Sequence, residues 1–413
     1  MKKTIVQAGA HAFQNKRVLV RVDFNVPQNK DGTISDDTRI KAALPTIEWL
    51  RGSGAKVVLM SHLGRPKDGP SEKLSLKPVA DRLSQLLSGK EKCTVAFAAD
   101  CVGEQAEKVV QSLKPGDVCL LENLRFHKEE EKNDKEFARQ LGSLGDIYVD
   151  DAFGTSHRAH ASTEGVTHFV RPALAGFLME KEITMLSQTL DNPARPFATI
   201  IGGAKVSSKI GVLENLLTRV DVMVVGGAMA FSFLKAQGKQ VGKSLVEDDK
   251  LDYCRELLKK AQEKGVKIIL PVDVVCAAEI KAGVAQQTVD VADIPADQMG
   301  LDVGPKTSAL IDAELKGCQT ILWNGPLGVF EVEGFDVATF RLVDTLVALT
   351  KGGVKTIAGG GDSVAALGAK KVADSQLTHV STGGGASLEF IEGLELPGVA
   401  CLDEVDQPAA SLR

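Results

Sequence analysis

Residues 197–217 read FATIIGGAKVSSKIGVLENLL, and this stretch decides the fold class. An apolar run comes first, Gly202 and Gly203 interrupt it, and apolar residues then return at helical spacing. The pattern predicts a buried strand, a glycine turn and a helix. A helix start attracts anions because its N–H groups are unpaired and its dipole is positive there, and glycines let an anion approach the backbone. The turn is therefore a candidate phosphate site.

Two lysines follow this glycine turn. Lys205 and Lys209 are four residues apart, so we expect both on one face of the first helical turns, where they would add two cations. The alternative is an ordinary crossover between parallel strands with solvated lysines. The same strand, glycine and helix pattern returns at residues 221–234 and 354–367. Neither G-x-G-x-x-G after a strand nor a P-loop motif occurs, so the familiar nucleotide fingerprints are excluded.

Length and composition indicate an ordinary globular protein of two domains. The chain has 413 residues, more than one core usually organises, with 44% hydrophobic and 25% charged residues. Its seven cysteines are scattered singly, which suggests neither disulfides nor a zinc site. We expect a cytoplasmic monomer, because no signal peptide, membrane span or heptad pattern is evident. A net charge of −5 argues against nucleic acid as a partner.

The first half alternates strand patterns with helical patterns, which predicts a parallel, doubly wound sheet. The predicted strands are residues 17–26, 55–60, 94–98, 118–121 and 146–149. Ligands of such sheets bind beyond the carboxyl ends of the strands. The polar residues expected at those ends, with the one that opens the first helix, are Asp23, Asn25, Arg39, His62, Arg65, Arg125 and Arg158.

This set predicts a pocket for a small polyanion, because the guanidinium fork suits phosphate and carboxylate oxygens. Each arginine taken alone is more simply a surface ion pair. His62, His157 and His160 are possible metal ligands, but no carboxylate spacing fits a zinc site, so structural roles are favoured. The acidic run at residues 128–135 predicts a solvated helix start. Residues 171–190 predict a long amphipathic helix entered through Pro172, a candidate hinge.

The second half repeats the architecture, but its strand ends carry glycines instead of arginines. Such ends suit a nucleotide, whose phosphates use backbone N–H groups and whose base needs an apolar slot. Asp362, beside Ser363 at a glycine turn, is either an N-cap or a ligand for Mg²⁺. Glu331 is either a partner for ribose hydroxyls or an ordinary surface charge.

Ten motifs occur in one order along the chain: RVDFNVP, SHLGRP, ENLRF, HRAHAS, GGAKVSSKI, MAFSFLKAQG, LPVDVV, WNGPLGVFE, GGGDSVAAL and STGGGASLEF. Over essentially its whole length the sequence resembles the phosphoglycerate kinase family. The resemblance implies an α/β fold of two doubly wound parallel-sheet (Rossmann-like) domains joined by a hinge helix. It places the phosphoglycerate domain at residues 1–172 with 396–413, the nucleotide domain at 173–395, and the hinge helix at about 172–190.

The resemblance also implies reversible phosphoryl transfer between 1,3-bisphosphoglycerate and ADP, with Mg²⁺ accompanying the nucleotide. The set named at the strand ends of the first half matches the family's phosphoglycerate positions. The nucleotide positions are Gly203, Lys205, Lys209, Gly227, Gly300, Asn324, Glu331, Gly360, Gly361, Asp362 and Ser363, with Asp362 as the metal ligand. Arg39 and Lys205 would meet on the migrating phosphoryl group, and the helix start after Gly383 and Gly384 would offer N–H groups to it.

Three other functions fit parts of the pattern. One is another ATP-dependent carboxylate kinase on a similar scaffold. A second is a sensor that binds nucleotide and sugar phosphate without turnover. A dehydrogenase is the weakest, because the dinucleotide fingerprint is absent.

Overall fold

The structure is a computed structural model that describes residues 1–67, 69–88 and 94–405. The chain divides into two compact units. Unit 1 comprises Met1–Thr184 and the chain from Glu395 onwards, and unit 2 comprises Met185–Leu394. The division falls later than residue 172, where the sequence analysis places it, because residues 173–175 belong to the sheet of unit 1. Residues 406–413 of the expected C-terminal segment lie outside the described residues.

Unit 1 is built on a parallel sheet. Its strands are β1 (Arg17–Val22), β2 (Lys56–Met60), β3 (Ala96–Ala98), β4 (Val118–Leu121), β5 (Ile147–Asp151) and β6 (Ala173–Ala175). Its helices are α1 (Ile5–Ala8), α2 (Thr38–Gly52), α3 (Lys77–Leu87), α4 (Gly103–Ser112), α5 (Lys135–Gly142) and the start of α6 (Phe177–Asp191). The strand order is β3-β4-β2-β1-β5-β6, and the central strand β1 is buried over nearly its whole length.

Two predictions for unit 1 are wrong. The helix expected from residue 171 begins only at Phe177, because Ala173–Ala175 pairs with β5 as a buried edge strand. The run at residues 128–135 is not simply a solvated helix start. Helix α5 begins at Lys135 with Asp134 as its N-cap, and Glu130 within the run is fully buried.

Unit 2 repeats the parallel design and adds a small antiparallel sheet. Its strands are β7 (Phe197–Ile201), β8 (Val222–Val225), β9 (Lys267–Ile269), β10 (Asp273–Ala277), β11 (Gln286–Asp290), β12 (Met299–Val303), β13 (Thr320–Asn324), β14 (Lys355–Gly359) and β15 (His379–Val380). Its helices are α7 (Ile210–Leu217), α8 (Met229–Ala236), α9 (Leu251–Lys264), α10 (Pro305–Leu315), α11 (Val337–Lys351), α12 (Gly361–Ala369) and α13 (Gly385–Ile391). The parallel order is β15-β14-β13-β7-β8-β9, and the antiparallel order is β11-β10-β12.

The end of the chain packs on unit 1. Helix α14 (Pro397–Ala400) lies against the loop after β5, where the N–H of Gly398 donates to the carbonyl of Ser156 at 2.8 Å. Further on, the N–H of Lys3 donates to the carbonyl of Asp403 at 2.7 Å. The last described residues are therefore hydrogen-bonded to the first residues of the chain. Among the helices of the described ranges, none is both long enough and apolar enough to cross a bilayer.

Candidate functional site

Each parallel sheet has one point where the direction of strand addition reverses. In unit 1 the chain runs from β1 to β2 on one side and later places β5 on the other side of β1. In unit 2 it runs from β7 to β8 on one side and later places β13 on the other side of β7. The loops that leave the two central strands at such a point diverge and open a crevice. Asp23 and Asn25 follow the central strand β1 of unit 1, and Gly203, Lys205 and Lys209 follow the central strand β7 of unit 2. Most of the other predicted residues follow neighbouring strands of the two parallel sheets, whereas Gly300 lies on β12 of the antiparallel sheet.

In unit 1 the loops after β1 and β2 are tied together by polar contacts. Arg39, in the first turn of α2, places its Nη1 2.7 Å from Oδ2 of Asp23. The side-chain oxygen of Asn25 accepts from the N–H of Gly64 at 2.8 Å. Asp23 thus holds the guanidinium of Arg39 in place, and Asn25 fixes the backbone that leads to Arg65.

Three arginines of unit 1, Arg21, Arg39 and Arg125, form a cluster around His62. Burial lowers the pKa of His62 well below its usual value, and the positive charges of Arg21, Arg125 and Arg39 lower this pKa further. Arg125 donates to the carbonyl of Gly64 at 2.9 Å. The cluster can hold an anion because several positive charges converge on one place, although Arg39 pairs with Asp23 and Arg125 lies 3.3 Å from Glu131.

The two remaining predicted arginines have exposed side chains. Arg65 contributes to the lowered pKa of Arg125, and Arg158 contributes to the lowered pKa of His160, which burial brings to about 4. Both therefore lie within electrostatic reach of the cluster. Their exposure leaves them free to turn toward a ligand.

The sequence analysis missed the groups beneath this cluster. Arg21 is 1% exposed although it is charged, and it contacts Ser162 and His62. Asn123 fixes the loop after β2 by three hydrogen bonds. Its side-chain oxygen accepts from the N–H of Leu63, and its side-chain NH₂ group donates to the carbonyls of Leu63 and Leu74. One signal was available for Arg21: an arginine inside an apolar strand is rarely buried without a partner.

In unit 2 the loops after β7, β8 and β13 approach one another too closely for side chains. A Cβ on Gly227 would lie 2.6 Å from the N and O atoms of Gly203 and 3.1 Å from the carbonyl oxygen of Pro326. A Cβ on Gly202 would overlap the same carbonyl. Gly227 also has a φ of 66°, which L-residues with side chains seldom adopt. Glycine is required here so that the three backbones can share one crevice.

A polar cleft of about 240 Å³ opens at this crevice. Its wall includes Lys209, whose Nζ donates to Oδ1 of Asn324 at 2.6 Å, and Asn324 in turn donates to the carbonyl of Gly359 at 3.0 Å. Burial lowers the pKa of Lys209, and the charge of Asp362 opposes this shift. The lining residues also include Gly203, Gly360 and Gly361. Glycines and one ammonium group thus line the same small space.

The expected arrangement of Lys205 and Lys209 on one helical face is wrong. Helix α7 begins only at Ile210, with Lys209 at its N-cap position, and Lys205 lies on the exposed loop before it. Val206, between the lysines, is fully buried, and the serine pair Ser207-Ser208 separates it from Lys209. The two lysines therefore extend from a loop.

An apolar cavity of about 290 Å³ adjoins the polar cleft and shares Gly203, Ala204 and Asp362 with it. Its other lining residues are mostly apolar side chains and glycines: Phe231, Leu245, Pro271, Val274, Ile280, Met299, Leu301, Val303, Pro326, Leu327, Val329, Gly227, Gly300 and Gly328. The exposed Glu331 lies at the same cavity. A polar compartment beside an apolar one suits a ligand with a charged tail and a flat apolar head.

Three predicted residues of unit 2, Ser363, Gly383 and Gly384, contribute to the structure of loops and helix starts. Ser363 is buried, and its Oγ accepts from the N–H of Gly325 at 2.7 Å, so it shapes the loop after β13. The N–H of Gly383 donates to Oγ of Ser381 at 3.1 Å, and Gly384 is the N-cap residue of α13 with a φ of 50°. Neither of these two glycines is among the described residues that line the two cavities.

A family model described as phosphoglycerate kinase matches residues 9–394. The chain belongs to the phosphoglycerate kinase family. A phosphoglycerate kinase of Synechococcus sp. (strain JA-3-3Ab) is 56% identical over 401 residues, which cover 95% of this chain and 96% of the relative. A second, from Thermosynechococcus vestitus, is 54% identical and covers 98% and 99% of the two chains.

Solved structures of phosphoglycerate kinases agree with this assignment. The structure of phosphoglycerate kinase from Coxiella burnetii matches with a TM-score of 0.87 and 40% identity, covering 97% of this chain and 98% of that one. That from Pyrococcus horikoshii matches with a TM-score of 0.75 and 34% identity, covering 94% and 96%. The prediction of two parallel-sheet α/β domains is therefore confirmed.

Proposed function

We propose that unit 1 binds the phosphoglycerate substrate and unit 2 binds the nucleotide. As a member of the phosphoglycerate kinase family, the chain catalyses reversible phosphoryl transfer between 1,3-bisphosphoglycerate and ADP, which yields 3-phosphoglycerate and ATP. One contrast supports the division of labour. In unit 1 the positive charges of Arg21, Arg125 and Arg39 converge on His62, whereas in unit 2 a polar cleft adjoins an apolar cavity.

In unit 1 the anionic groups of the substrate are bound by Arg39, Arg65, Arg125 and Arg158. Guanidinium groups bind phosphate and carboxylate oxygens through two parallel hydrogen bonds. His62 adds a hydrogen bond, Asp23 orients Arg39, and Asn25 holds the Gly64 backbone. The substrate is small and highly charged, so a converging set of fixed cations is the recognition that its chemistry requires.

In unit 2 the base and the phosphates of the nucleotide occupy the two adjoining compartments. The base lies in the apolar cavity beside Gly227 and Gly300, with Glu331 accepting from ribose hydroxyls. The phosphates lie in the polar cleft, where backbone N–H groups at Gly203, Gly360 and Gly361 receive them. Lys209 and Asn324 complete this cleft, and Ser363 supports it through Gly325.

Asp362 is the residue of unit 2 that fits Mg²⁺. Its exposed carboxylate belongs to the first turn of α12 and lines both compartments, so it lies where the phosphates would be. Mg²⁺ is commonly held by one or two carboxylates together with substrate phosphates. When bound, the ion neutralises part of the phosphate charge. Asp362 would hold the ion, and Lys209 would meet the phosphates from the side of Asn324.

The transfer itself needs positioning and charge stabilisation but no base. A β-phosphate oxygen of ADP, already anionic, attacks the acyl phosphate; the new P–O bond forms and the bond to the carboxyl oxygen breaks, leaving a carboxylate. Charge spreads over the migrating group in a loose transition state. Arg39 and Lys205 stabilise that charge, together with N–H groups after Gly383 and Gly384. A hinge movement about α6, which excludes water from the acyl phosphate, is part of this proposal.

The Arg39→Ala variant tests the division of labour. Its turnover in a coupled assay should fall by about 10³-fold or more, since a cation on a migrating phosphoryl group contributes on that scale. Its Kd for ADP, measured by calorimetry, should stay within about twofold of wild type, because Arg39 belongs to unit 1.

Arg82→Ala is the matched control for this test. Arg82 is 38% exposed and lies 2.7 Å from Asp37, whereas Arg39 is 40% exposed and lies 2.7 Å from Asp23. Loss of a comparable ion pair should leave turnover near wild type. Near-wild-type turnover of Arg39→Ala would refute the role of Arg39, and loss of ADP binding would refute the division of labour.

We also propose that the protein is a cytoplasmic monomer without nucleic-acid partners. The six described cysteines are free and five of them are buried, which is typical of a reducing compartment. The net charge of −5 disfavours nucleic acid. Light scattering coupled to size exclusion tests the monomer, whose expected mass is 43.9 kDa.

A further inference from the structure

A chain of buried polar groups runs beneath the arginine cluster of unit 1. Glu130 accepts from Ser162 with both carboxylate oxygens, from its Oγ at 2.6 Å and from its N–H at 3.0 Å. The Oγ of Ser162 accepts from Nε of Arg21 at 2.9 Å. The Nη2 of Arg21 lies 3.0 Å from Nδ1 of His62. Glu130 is therefore linked to His62 through two side chains, and all four are buried.

The chemistry of the groups fixes the direction of every hydrogen bond in this chain. A guanidinium group has only donors, so Nδ1 of His62 must accept and cannot carry a proton. A neutral imidazole with an unprotonated Nδ1 carries its proton on Nε2. The Oγ of Ser162 accepts from Arg21, so its own hydrogen is directed to Glu130. The guanidinium of Arg21 thus sets the tautomer of His62, and Glu130 acts on that tautomer by holding Arg21 in place through Ser162.

Neighbouring charges act on both ends of this chain of groups. Burial raises the pKa of Glu130, and the positive charge of Arg21 with the hydrogen bonds from Ser162 offsets that rise only in part. The charged and titratable groups that act on His62 are Arg21, Arg125, Arg39 and His160, and all of them disfavour a second proton on its ring. Tyr148 and Asp150 also act near Arg21. A buried guanidinium requires a nearby anion, and Glu130 is the carboxylate to which Ser162 links Arg21.

We propose that Glu130 is a positioning residue for phosphoglycerate binding, because through Ser162 and Arg21 it holds His62 as the tautomer with its proton on Nε2. His62 then offers one fixed N–H donor to an oxygen of the substrate. This rests on the substrate-binding role proposed for His62. A direct pairing of Glu130 with His160 is geometrically weaker, because Nδ1 of His160 lies 4.0 Å from Oε1 of Glu130.

Nitrogen NMR of the full chain labelled with ¹⁵N-histidine measures the tautomer directly. The signals of His62 are assigned among the seven histidines by comparison with His62→Gln. Wild type should show a single form at neutral pH, with Nδ1 unprotonated and Nε2 protonated. Ser162→Ala and Glu130→Gln should each show a mixture of tautomers. Ser162→Thr, which keeps the hydroxyl, should restore the wild-type spectrum.

Kinetics provides the second readout. In Ser162→Ala the KM for 3-phosphoglycerate should rise about threefold to tenfold, the loss expected for one misplaced hydrogen bond, while the KM for ATP stays unchanged. In a His62→Gln background, Ser162→Ala should not raise this KM further, because the buried polar groups then have no imidazole at position 62 to orient. Ser156→Ala is the matched control, since Ser156 is fully buried on the same loop and donates only to the carbonyl of Phe153.

The outcomes separate this inference from the proposal on which it rests. An unchanged His62 spectrum in both Ser162→Ala and Glu130→Gln overturns the role of Glu130, whatever the KM values are. A wild-type KM in His62→Gln overturns the substrate role of His62 instead. If Ser162→Ala does not fold, Glu130→Gln alone decides. Additive KM effects in the double variant would show a structural role only and would also overturn the inference.

Discussion

The substitution Gly227→Ala probes the crevice of unit 2 most directly. The added methyl group would lie 2.6 Å from two backbone atoms of Gly203, where ordinary contact needs 3.4 Å, so the loops after β7 and β8 must separate by 0.8 Å (3.4 − 2.6). Backbone cannot rotate away as a side chain can. Overpacking of this kind costs about 1–3 kcal/mol. The φ of 66° adds about 1–2 kcal/mol for any residue with a Cβ.

Gly238→Ala separates these two contributions. Gly238 also has a positive φ, of 84°, but a Cβ there would meet no described atom within 4 Å. This control variant should therefore lose about 1–2 kcal/mol from backbone strain alone. Gly227→Ala should lose about 2–5 kcal/mol in total. The difference between the two variants measures the close approach of the loops.

Tryptophan fluorescence during denaturation provides the assay. The chain has two tryptophans, Trp49 in unit 1 and the fully buried Trp323 on β13 of unit 2. In a Trp49→Phe background, Trp323 alone reports the unfolding of unit 2, which avoids treating the two units as one transition. Equal losses of unfolding free energy for Gly227→Ala and Gly238→Ala would refute the argument that the loops need glycine for their contact.

Two further predictions concern single carboxylates of unit 2. Asp362→Ala should raise the Mg²⁺ concentration for half-maximal turnover by about tenfold, as expected for one lost ligand. The control is Asp374→Ala, which changes an exposed aspartate after the other end of α12 and should leave that concentration unchanged. Equal metal titrations of the two variants would contradict the assignment of Asp362 as a ligand. Burial raises the pKa of Asp302 to about 7, so its contribution to stability is present below about pH 4 and is lost as pH rises to about 7. Asp302→Asn should remove that part of the pH dependence of unfolding, and an unchanged profile would exclude the shift.

The parallel sheets could be predicted because their signals are local. The apolar run and glycine break at β7 recur at β8 and β14, and each gives a strand followed by a loop and a helix. Parallel strands place the loops after their carboxyl ends on one edge of the sheet, so the loops after β1 and β2 meet at Asn25 and Gly64. Residues that are far apart in the sequence are therefore close in space, because they follow neighbouring strands of one parallel sheet.

The remaining features depend on contacts that sequence does not encode locally. Strand β11 has a largely exposed pattern, so it lacks the alternation that would mark it as a strand. Glu130 stands in a run of charges, and only the loop carrying Ser162 makes it buried. Helix α7 starts only at Ile210, after a loop in which Val206 is buried between two lysines. In each case a tertiary contact overrides a pattern that composition alone would favour.

The two units solve the same problem with different chemistry. In the proposed function both units bind an anion beyond the carboxyl ends of their strands, unit 1 through the guanidinium groups around His62 and unit 2 through the glycine loops that line its polar cleft. Guanidinium groups at such a point must be oriented by carboxylates, which explains why Asp23 and the buried Glu130 lie beneath them. Backbone donors need no counter-charge but must come close together, which explains the glycine at position 227. The site of unit 1 is therefore sensitive to changes of charge, and the site of unit 2 is sensitive to changes of volume.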